Sequence, residues 1–312
     1  MIETSAPAKI ILLGEHAVVY NQPAIAVPVA SLRATAHVEA NSGQTHGLHI
    51  ALADLDRVLS VDIESEAVDD ALALTARLVL KTLNAPAPDV TIHVQSQIPL
   101  ASGLGSGAAV TTALARALSH TAGQPLENPR LNDLVYEIEK LYHGTPSGID
   151  NTVVVFEQPV YFLRGQPIEP VSIGQPLALL IGDTGKSGLT RLSVGDVRRL
   201  YESQPEQIQP ILDRIGQLVR QARKALEAGE LQTLGALMNE NHTLLQQLTV
   251  SSPELDTLVQ AARSVGALGA KLSGGGRGGN MIALVTPETS AGVKQALLDA
   301  GAARVFETTV EN

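Results

Sequence analysis

The chain has 312 residues, of which 44% are hydrophobic, with no cysteine and a formal net charge of −10 at pH 7. This composition predicts a globular protein with a large core, excludes disulfides and thiolate metal sites, and disfavours nucleic acid or an anionic membrane as a partner. The apolar runs are far shorter than the roughly 20 residues of a membrane helix and no signal peptide is evident, so we expect a cytoplasmic protein.

The first part of the chain reads as a mixture of strands and helices. Apolar residues predict strands over residues 9–13, 25–40 and 90–94, and apolar residues at helical spacing predict a helix over 65–84. Residues 84–88 contain two prolines, which end that helix because proline lacks the backbone N–H group.

A glycine-rich loop at 99–109 connects the last of these strands to a helix. Gly103, Gly105 and Gly107 occupy alternate positions, with Ser106 among them. Backbone N–H groups of such a loop approach an anion closely, and the helix N-terminus adds partial positive charge, so we predict a phosphate-binding cradle. The loop also fits the dinucleotide pattern G-x-G-x-x-A, although no suitable strand follows the helix, and a tight turn without a ligand is a third interpretation.

Two acidic residues lie near a shaped turn in the middle of the chain. Glu139 belongs to a predicted helix over 131–141, and Asp150 ends the turn at 143–150, which contains two glycines and a proline. Close to a phosphate cradle, such carboxylates can serve as metal ligand and base. Taken alone, they are also explained as a solvated glutamate and a capping aspartate. After the turn, apolar residues predict a strand over 153–162.

A stretch rich in proline and glycine at 165–176 predicts a boundary between two domains, 1–170 and 171–312. Beyond it, strands and helices follow one another without strict alternation, which indicates an α+β fold. The predicted strands cover 177–181, 281–285 and 305–309, and the predicted helices cover 190–203, 206–228, 230–247, 253–266 and 288–300.

Two further glycine segments lie in the second half. Residues 185–187 read Gly-Lys-Ser, but Leu180 stands where a Walker loop needs a glycine, so we interpret this segment as an ordinary loop. Residues 274–279 contain five glycines and Arg277. Because glycine loses the most conformational freedom on folding, this run favours a need for close backbone approach over a flexible linker.

Near the N-terminus, Lys9 opens an apolar strand that is followed by Glu15 and His16. A charge in that position needs a partner, unless the lysine side chain extends to the surface.

Together, these segments resemble the GHMP kinase superfamily from about residue 5 to residue 285, and among its families the mevalonate kinases most closely. The first matching motif is residues 6–20, and the most discriminating is residues 143–151, His-Gly-Thr-Pro-Ser-Gly-Ile-Asp-Asn. The resemblance implies two α+β domains with the active site in the cleft between them. It also implies transfer of phosphate from ATP, with Mg²⁺, to the 5-hydroxyl of mevalonate. A homodimer is compatible with this assignment.

The resemblance implies roles for individual residues. Asp150 matches the base for the mevalonate hydroxyl, and Lys9 matches the lysine that pairs with that base. Glu139 and Ser106 match the carboxylate and hydroxyl ligands of Mg²⁺. The implied substrate-side residues are Glu15, His16 and Thr190. The implied ATP-binding residues are Pro99, Leu100, Ala101, Ser102, Gly103, Leu104, Gly105, Ser106, Gly107, Ala108, Ala109, Gly274, Gly275 and Gly276.

Three residues depart from the family pattern, and the smallest change is Ala8, which stands where a glycine is usual. Gly107 stands where a serine is usual, so Ser106 or a water must supply the hydroxyl ligand. Arg277 interrupts the third glycine motif, either as a phosphate or carboxylate contact or as a solvent-facing side chain. The alternative functions are a kinase for another small alcohol (phosphomevalonate, homoserine or a sugar), a non-catalytic ligand sensor on the same fold and, on the loop pattern alone, a nicotinamide oxidoreductase.

Overall fold

The computed structural model describes residues 2–43, 45–65, 67, 70–99, 102–143, 146–188 and 190–312. The chain forms two compact units, each assembled from separate stretches of sequence. The first unit comprises Met1–Ala8, Leu32–Pro99 and Gly105–Glu157, and the second comprises Lys9–Ser31, Leu100–Leu104 and Gln158–Asn312. Both units combine helices and strands, as an α+β fold requires. The predicted domain division at residue 170 stays a prediction.

Two long strands, β1 (Ile2–Leu13) and β2 (Ala24–Ala40), contribute residues to both units. The remaining strands of the first unit are β3 (Leu48–Leu52), β4 (Arg57–Ser60) and β5 (Val90–Ser96). In this unit β5 pairs antiparallel with β2 and parallel with β3, and β3 pairs antiparallel with β4. Alternate residues of β5, Ile92 and Val94, are buried, which is the period expected of a sheet with one covered face.

The helices of the first unit are α1 (Ala71–Leu83), α2 (Ser106–Thr121), α3 (Asn128–His143) and α4 (Ile149–Phe156). In the described residues α1 begins six positions later than the predicted helix over 65–84. The reason is a cap: the Asp70 carboxylate accepts hydrogen bonds from the N–H groups of Leu72 at 2.8 Å and Ala73 at 3.3 Å. Such a side chain satisfies N–H groups that the first helical turn leaves unpaired.

The predicted strand over 153–162 is wrong in its first part, because α4 occupies residues 153–156 and only the end, β6 (Val160–Phe162), is a strand. Gly148 adopts the left-handed conformation (φ 93°) and starts the helix. The Thr152 hydroxyl then donates to the Gly148 carbonyl oxygen at 2.7 Å. A run of apolar residues that is buried on all sides has no period by which a strand can be told from a helix.

The second unit contains an antiparallel sheet in the order β11-β8-β10-β9. The strands that the sequence predicts at 177–181, 281–285 and 305–309 are confirmed, and so are the five helices predicted beyond residue 176, to within two residues at each end. The elements are β7 (Glu169–Pro170), β8 (Leu177–Asp183), α5 (Thr190–Ser203), α6 (Pro205–Ala228), α7 (Leu231–Gln247), α8 (Pro253–Ser264), β9 (Gly269–Ser273), β10 (Asn280–Val285), α9 (Pro287–Asp299) and β11 (Arg304–Val310).

The core of this unit lies where its helices cover the sheet. Leu212 of α6, Leu245 of α7 and Leu255 of α8 are buried in one cluster with Leu272 of β9 and Met281 of β10. None of the helices in the described ranges is both long and apolar enough to cross a membrane.

A close approach between α7 and this sheet depends on glycine. A Cβ atom placed on Gly235 of α7 would lie 2.3 Å from the Leu268 carbonyl oxygen, immediately before β9. Any side chain at this position therefore pushes α7 away from β9. The strand β9 is the element that leads into the glycine run at 274–279.

We expect Gly235→Ala to lower the free energy of unfolding by about 1–3 kcal/mol, because the added methyl group overpacks the contact between α7 and Leu268. The matched control is Gly292→Ala in α9, where an added Cβ has nothing within 4 Å. That change is expected to raise the free energy by roughly 0.5–1 kcal/mol through helix propensity. Urea unfolding of both variants is the measurement, and equal shifts would contradict the packing argument.

Candidate active site

The predicted phosphate loop ends at the first turn of α2. Gly105 precedes the helix with φ at 76°, and Ser106 is its first residue. The side chains of Ala108 and Ala109 are buried. The turn therefore presents backbone N–H groups without intrahelical partners, together with the Ser106 hydroxyl, which is the donor set of an anion site.

The Glu139 carboxylate lies against this turn. A Cβ atom on Gly107 would stand only 3.3 Å from Glu139 Oε1, and Glu139 is 8% exposed. The glycine that departs from the family pattern therefore leaves room for a carboxylate oxygen beside the N-terminus of α2. A serine there would have to displace the carboxylate by a few tenths of an ångström.

This arrangement fits a divalent cation. A carboxylate next to a phosphate cradle would repel a bound phosphate unless a cation lay between them. Mg²⁺ takes one or two carboxylates, and its other ligands are phosphate oxygens and water. The described residues contain no group of three or more His, Asp or Glu side chains that could hold a metal alone. Glu139 and Ser106 thus suit an ion that takes its remaining ligands from a nucleotide.

Asp150 is held at the N-terminal end of α4. It is the second residue of the helix and is half-buried. Its neighbour Asn151 is buried and donates through Nδ2 to Asn132 Oδ1 on α3 at 2.8 Å, which ties the first turn of α4 to α3. Asp150 therefore stands on a turn whose position is fixed by contacts within the same unit.

In the second unit, three segments predicted from the sequence converge. The Lys9 backbone N–H donates to the Leu104 carbonyl oxygen at 2.9 Å, and Asn280 Nδ2 donates to the Ser102 carbonyl oxygen at 2.6 Å. Lys9 is 3% exposed. The strand that carries Lys9 and the residue that follows the glycine run are thereby both joined to the loop at 102–104, through its carbonyl oxygens.

A buried ion pair supports the turn that follows β1. Lys271 of β9 and Glu15 are both inaccessible to solvent, and the Lys271 ammonium pairs with Glu15 Oε1. The ammonium also donates to the Leu272 carbonyl oxygen at 2.5 Å, and Asn241 Nδ2 donates to Glu15 Oε2 at 3.1 Å. Burial lowers the pKa of the Lys271 ammonium, and the Glu15 carboxylate opposes that shift.

His16 connects the same turn to the glycine run. Its Nε2 lies 3.1 Å from the Gly275 carbonyl oxygen. A carbonyl oxygen can only accept a hydrogen bond, so Nε2 carries the proton. Burial lowers the pKa of His16 to about 4, although the Gly275 carbonyl opposes the shift, so the ring is neutral at pH 7. In the described part of the chain Nδ1 has no hydrogen-bond partner.

A second buried histidine contacts the backbone of β9. His242 Nδ1 accepts from the Leu272 N–H at 3.3 Å, and His242 Nε2 lies 3.2 Å from Asp256 Oδ1. The proton is therefore on Nε2. Burial is the main cause that lowers the pKa of His242 to about 4, followed by the charge of Arg263.

Several predicted site residues lie outside the described residues. Leu100 and Ala101 are not described, and neither is the side chain of Thr190, which is the first residue of α5. The predicted roles of the remaining site residues and the predicted Lys9–Asp150 ion pair stay predictions. The structure adds that the Glu15 carboxylate is engaged by Lys271 and Asn241.

The sequence analysis gave no role to Lys271, Asn241 or His242. One signal was present for Lys271: like Lys9, it is a lysine next to apolar residues in a strand and so needs a buried partner. Asn241 and His242 had no comparable signal, because a polar pair in a helix is ordinarily solvent-facing.

We expect the free energy of unfolding to fall between about pH 6.5 and pH 4. The unfolded state binds a proton on each histidine in this range, whereas buried His242 and His16 do not until the pH reaches about 4. His242 alone can contribute roughly 1–3 kcal/mol of this loss. Denaturant unfolding at a series of pH values should therefore show a shallower decline for His242→Gln, and an identical decline in both proteins would refute the assignment.

Family models and solved structures locate this architecture among known proteins. The model of the GHMP kinases N terminal domain matches residues 70–158, and that of the GHMP kinases C terminal matches residues 222–303. A mevalonate kinase of Thermococcus gammatolerans is 38% identical and the match covers 95% of this chain and 92% of that protein. A mevalonate kinase of Saccharolobus solfataricus is 31% identical, and the match covers 99% of this chain and 96% of that protein.

Solved structures agree with the sequence comparisons. The crystal structure of L. major mevalonate kinase in complex with R-mevalonate has a TM-score of 0.83 and 31% identity, and the match covers all of this chain and 96% of that one. The crystal structure of the Methanococcus jannaschii mevalonate kinase has a TM-score of 0.87 and 25% identity, and the match covers all of this chain and 98% of that one. This chain has the two-domain GHMP kinase fold and belongs to the mevalonate kinase family.

Proposed function

We propose that this enzyme transfers the terminal phosphoryl group of ATP to the 5-hydroxyl of mevalonate, giving 5-phosphomevalonate and ADP. Membership of the family supports the reaction. Within the site, the observation that carries the proposal is the Glu139 carboxylate beside Gly107 at the N-terminal turn of α2. An anion cradle and a carboxylate become compatible when a metal–nucleotide complex lies between them.

Phosphoryl transfer requires the charge of the phosphates to be neutralised and the reacting groups to be positioned. Glu139 and Ser106 would hold Mg²⁺, which supplies the neutralising charge when it is bound. The backbone N–H groups of the first turn of α2 would bind phosphate oxygens, because four N–H groups there lack intrahelical acceptors.

Asp150 is the proposed base. As the mevalonate 5-oxygen attacks phosphorus, the hydroxyl proton passes to the Asp150 carboxylate and ADP leaves with the electrons of the broken P–O bond. Asp150 lies in the first turn of α4, which the hydrogen bond from Asn151 to Asn132 ties to α3. Lys9 is the proposed partner of Asp150, and its positive charge would stabilise the developing alkoxide.

Turnover of mevalonate is the first test. We expect ADP release to depend on mevalonate, and Asp150→Asn to lower kcat by about 10²- to 10⁴-fold through loss of the base, with ATP affinity retained. Asp133→Asn, an exposed aspartate on α3, is the matched control. Turnover only with phosphomevalonate, homoserine or a sugar would replace the proposed acceptor, and nucleotide binding without turnover of any alcohol would favour a sensor.

The metal role of Glu139 has its own test. Glu139→Gln is expected to raise the Mg²⁺ concentration for half-maximal activity by about tenfold, since one charge-assisted metal contact is lost. Glu137→Gln is the matched control, because Glu137 lies two residues away on α3 and is exposed, with a surface ion pair to Lys140. An unchanged Mg²⁺ requirement in Glu139→Gln would contradict the role.

A further inference from the structure

Arg277 occupies a position where its backbone conformation favours glycine. It lies within the glycine run at 274–279 with φ at 57°, and Gly276 and Gly278 on either side also have positive φ. A side chain in this left-handed region carries a steric cost that glycine avoids. The chain therefore keeps an arginine where glycine would be less strained, which points to a contribution from the guanidinium group.

The contacts of Arg277 run to two other elements. Its backbone N–H donates to the Val250 carbonyl oxygen at 2.8 Å, and its Nε donates to the Thr249 carbonyl oxygen at 3.1 Å. Both acceptors lie between α7 and α8. The guanidinium also forms an ion pair with Asp196 of α5, which pairs with Arg199 as well. The hydrogen bond from Arg277 is the main cause that lowers the pKa of Asp196, so this carboxylate stays charged at pH 7.

These contacts exclude one of the two roles that the sequence left open for Arg277, that of a purely solvent-facing side chain. The guanidinium does not simply face solvent, because Asp196 and the Thr249 carbonyl oxygen engage it. The Arg277 side chain contacts α5 and the connection between α7 and α8.

The segment that leads into α5 packs on the same glycine run. The Gly279 N–H donates to the Lys186 carbonyl oxygen at 2.7 Å, and a Cβ on Gly188 would lie 3.0 Å from the Gly276 carbonyl oxygen. The Lys186 ammonium pairs with Glu254 in the first turn of α8. Two ion pairs, Arg277–Asp196 and Lys186–Glu254, therefore hold the run, the approach to α5 and the start of α8 together.

We propose that Arg277 is a positioning residue that fixes α5 against the glycine run through Asp196, at the middle of the helix. The inference rests on the proposed function, together with the roles that the family resemblance implies. These place Gly274, Gly275 and Gly276 of the run at the nucleotide and Thr190, the first residue of α5, at the acceptor. A nucleotide that orders the glycine run then also orders α5. Mevalonate binds more tightly to this complex, because the conformational entropy of α5 has already been lost when the nucleotide bound. By linkage, mevalonate tightens nucleotide binding by the same factor.

The experiment compares the full-length wild-type enzyme with Arg277→Gly, Asp196→Asn and the double variant. We measure KM and kcat for both substrates, and the dissociation constant of mevalonate with and without a non-hydrolysable ATP analogue. Each single variant is expected to raise the KM for mevalonate by about three- to tenfold and to reduce the effect of the analogue on mevalonate affinity. The double variant should equal the single ones, because both remove one interaction.

The controls separate positioning from general destabilisation. Arg277→Gly removes the steric cost at φ 57°, so its thermal unfolding midpoint should stay close to that of the wild type. Arg277→Lys retains the charge and should restore part of the mevalonate affinity. Lys294→Gln breaks the exposed Lys294–Glu307 pair of α9 and β11 and should change none of the kinetic constants.

Hydrogen exchange of the α5 amides supplies a readout that does not depend on the acceptor, and faster exchange is expected in Arg277→Gly. Unchanged KM values, unchanged coupling or unchanged exchange in that variant would overturn the inference, and additive effects in the double variant would overturn the role of the pair. A wild-type enzyme that does not turn over mevalonate would instead overturn the proposed function. Hydrogen exchange separates the two failures, because it reports on the contact between Arg277 and α5 without any acceptor.

Discussion

The ion pair between Glu15 and Lys271 is the constraint on which the second unit depends. Both side chains are inaccessible to solvent. Removing two charges from water costs several kcal/mol per ion unless the charges meet each other and their remaining polar atoms find partners. The turn after β1 must therefore lie against β9, and Asn241 of α7 must face the same point. Three elements distant in sequence are thus held together by one electrostatic requirement.

The neighbouring histidines extend this requirement to the glycine run. His16 contacts the Gly275 carbonyl oxygen, and His242 accepts the Leu272 N–H. Both rings are neutral at pH 7 because burial lowers the pKa of each to about 4. The backbone is therefore held at two points, Leu272 in β9 and Gly275 in the glycine run. A segment with many glycines would otherwise sample many conformations, so these buried contacts give a flexible composition one geometry.

In the first unit, the charged group at the N-terminus of α2 is placed by a missing side chain rather than by an ion pair. There the absence of a side chain at Gly107 admits the Glu139 carboxylate. The resulting combination of backbone donors and one carboxylate suits a metal-bound phosphate better than either a bare anion or a bare cation. Rigid surroundings around a few charged groups are what phosphoryl transfer needs, because its catalysis consists mainly of positioning and charge neutralisation.

The sequence by itself determined the α+β class, the kinase family and most helices and strands of the second unit. These features can be read from the sequence because the spacing of apolar residues and the positions of glycines follow from the local geometry of helices, strands and turns. It misassigned α4, since a run buried on every side has no period, and it could not assign Lys271 or His242, whose partners lie far away in sequence. Only the tertiary structure decided that Arg277 pairs with Asp196 and that Gly107 makes room for Glu139. Such contacts depend on which distant elements meet, and burial and charge pairing select them only once the chain has folded.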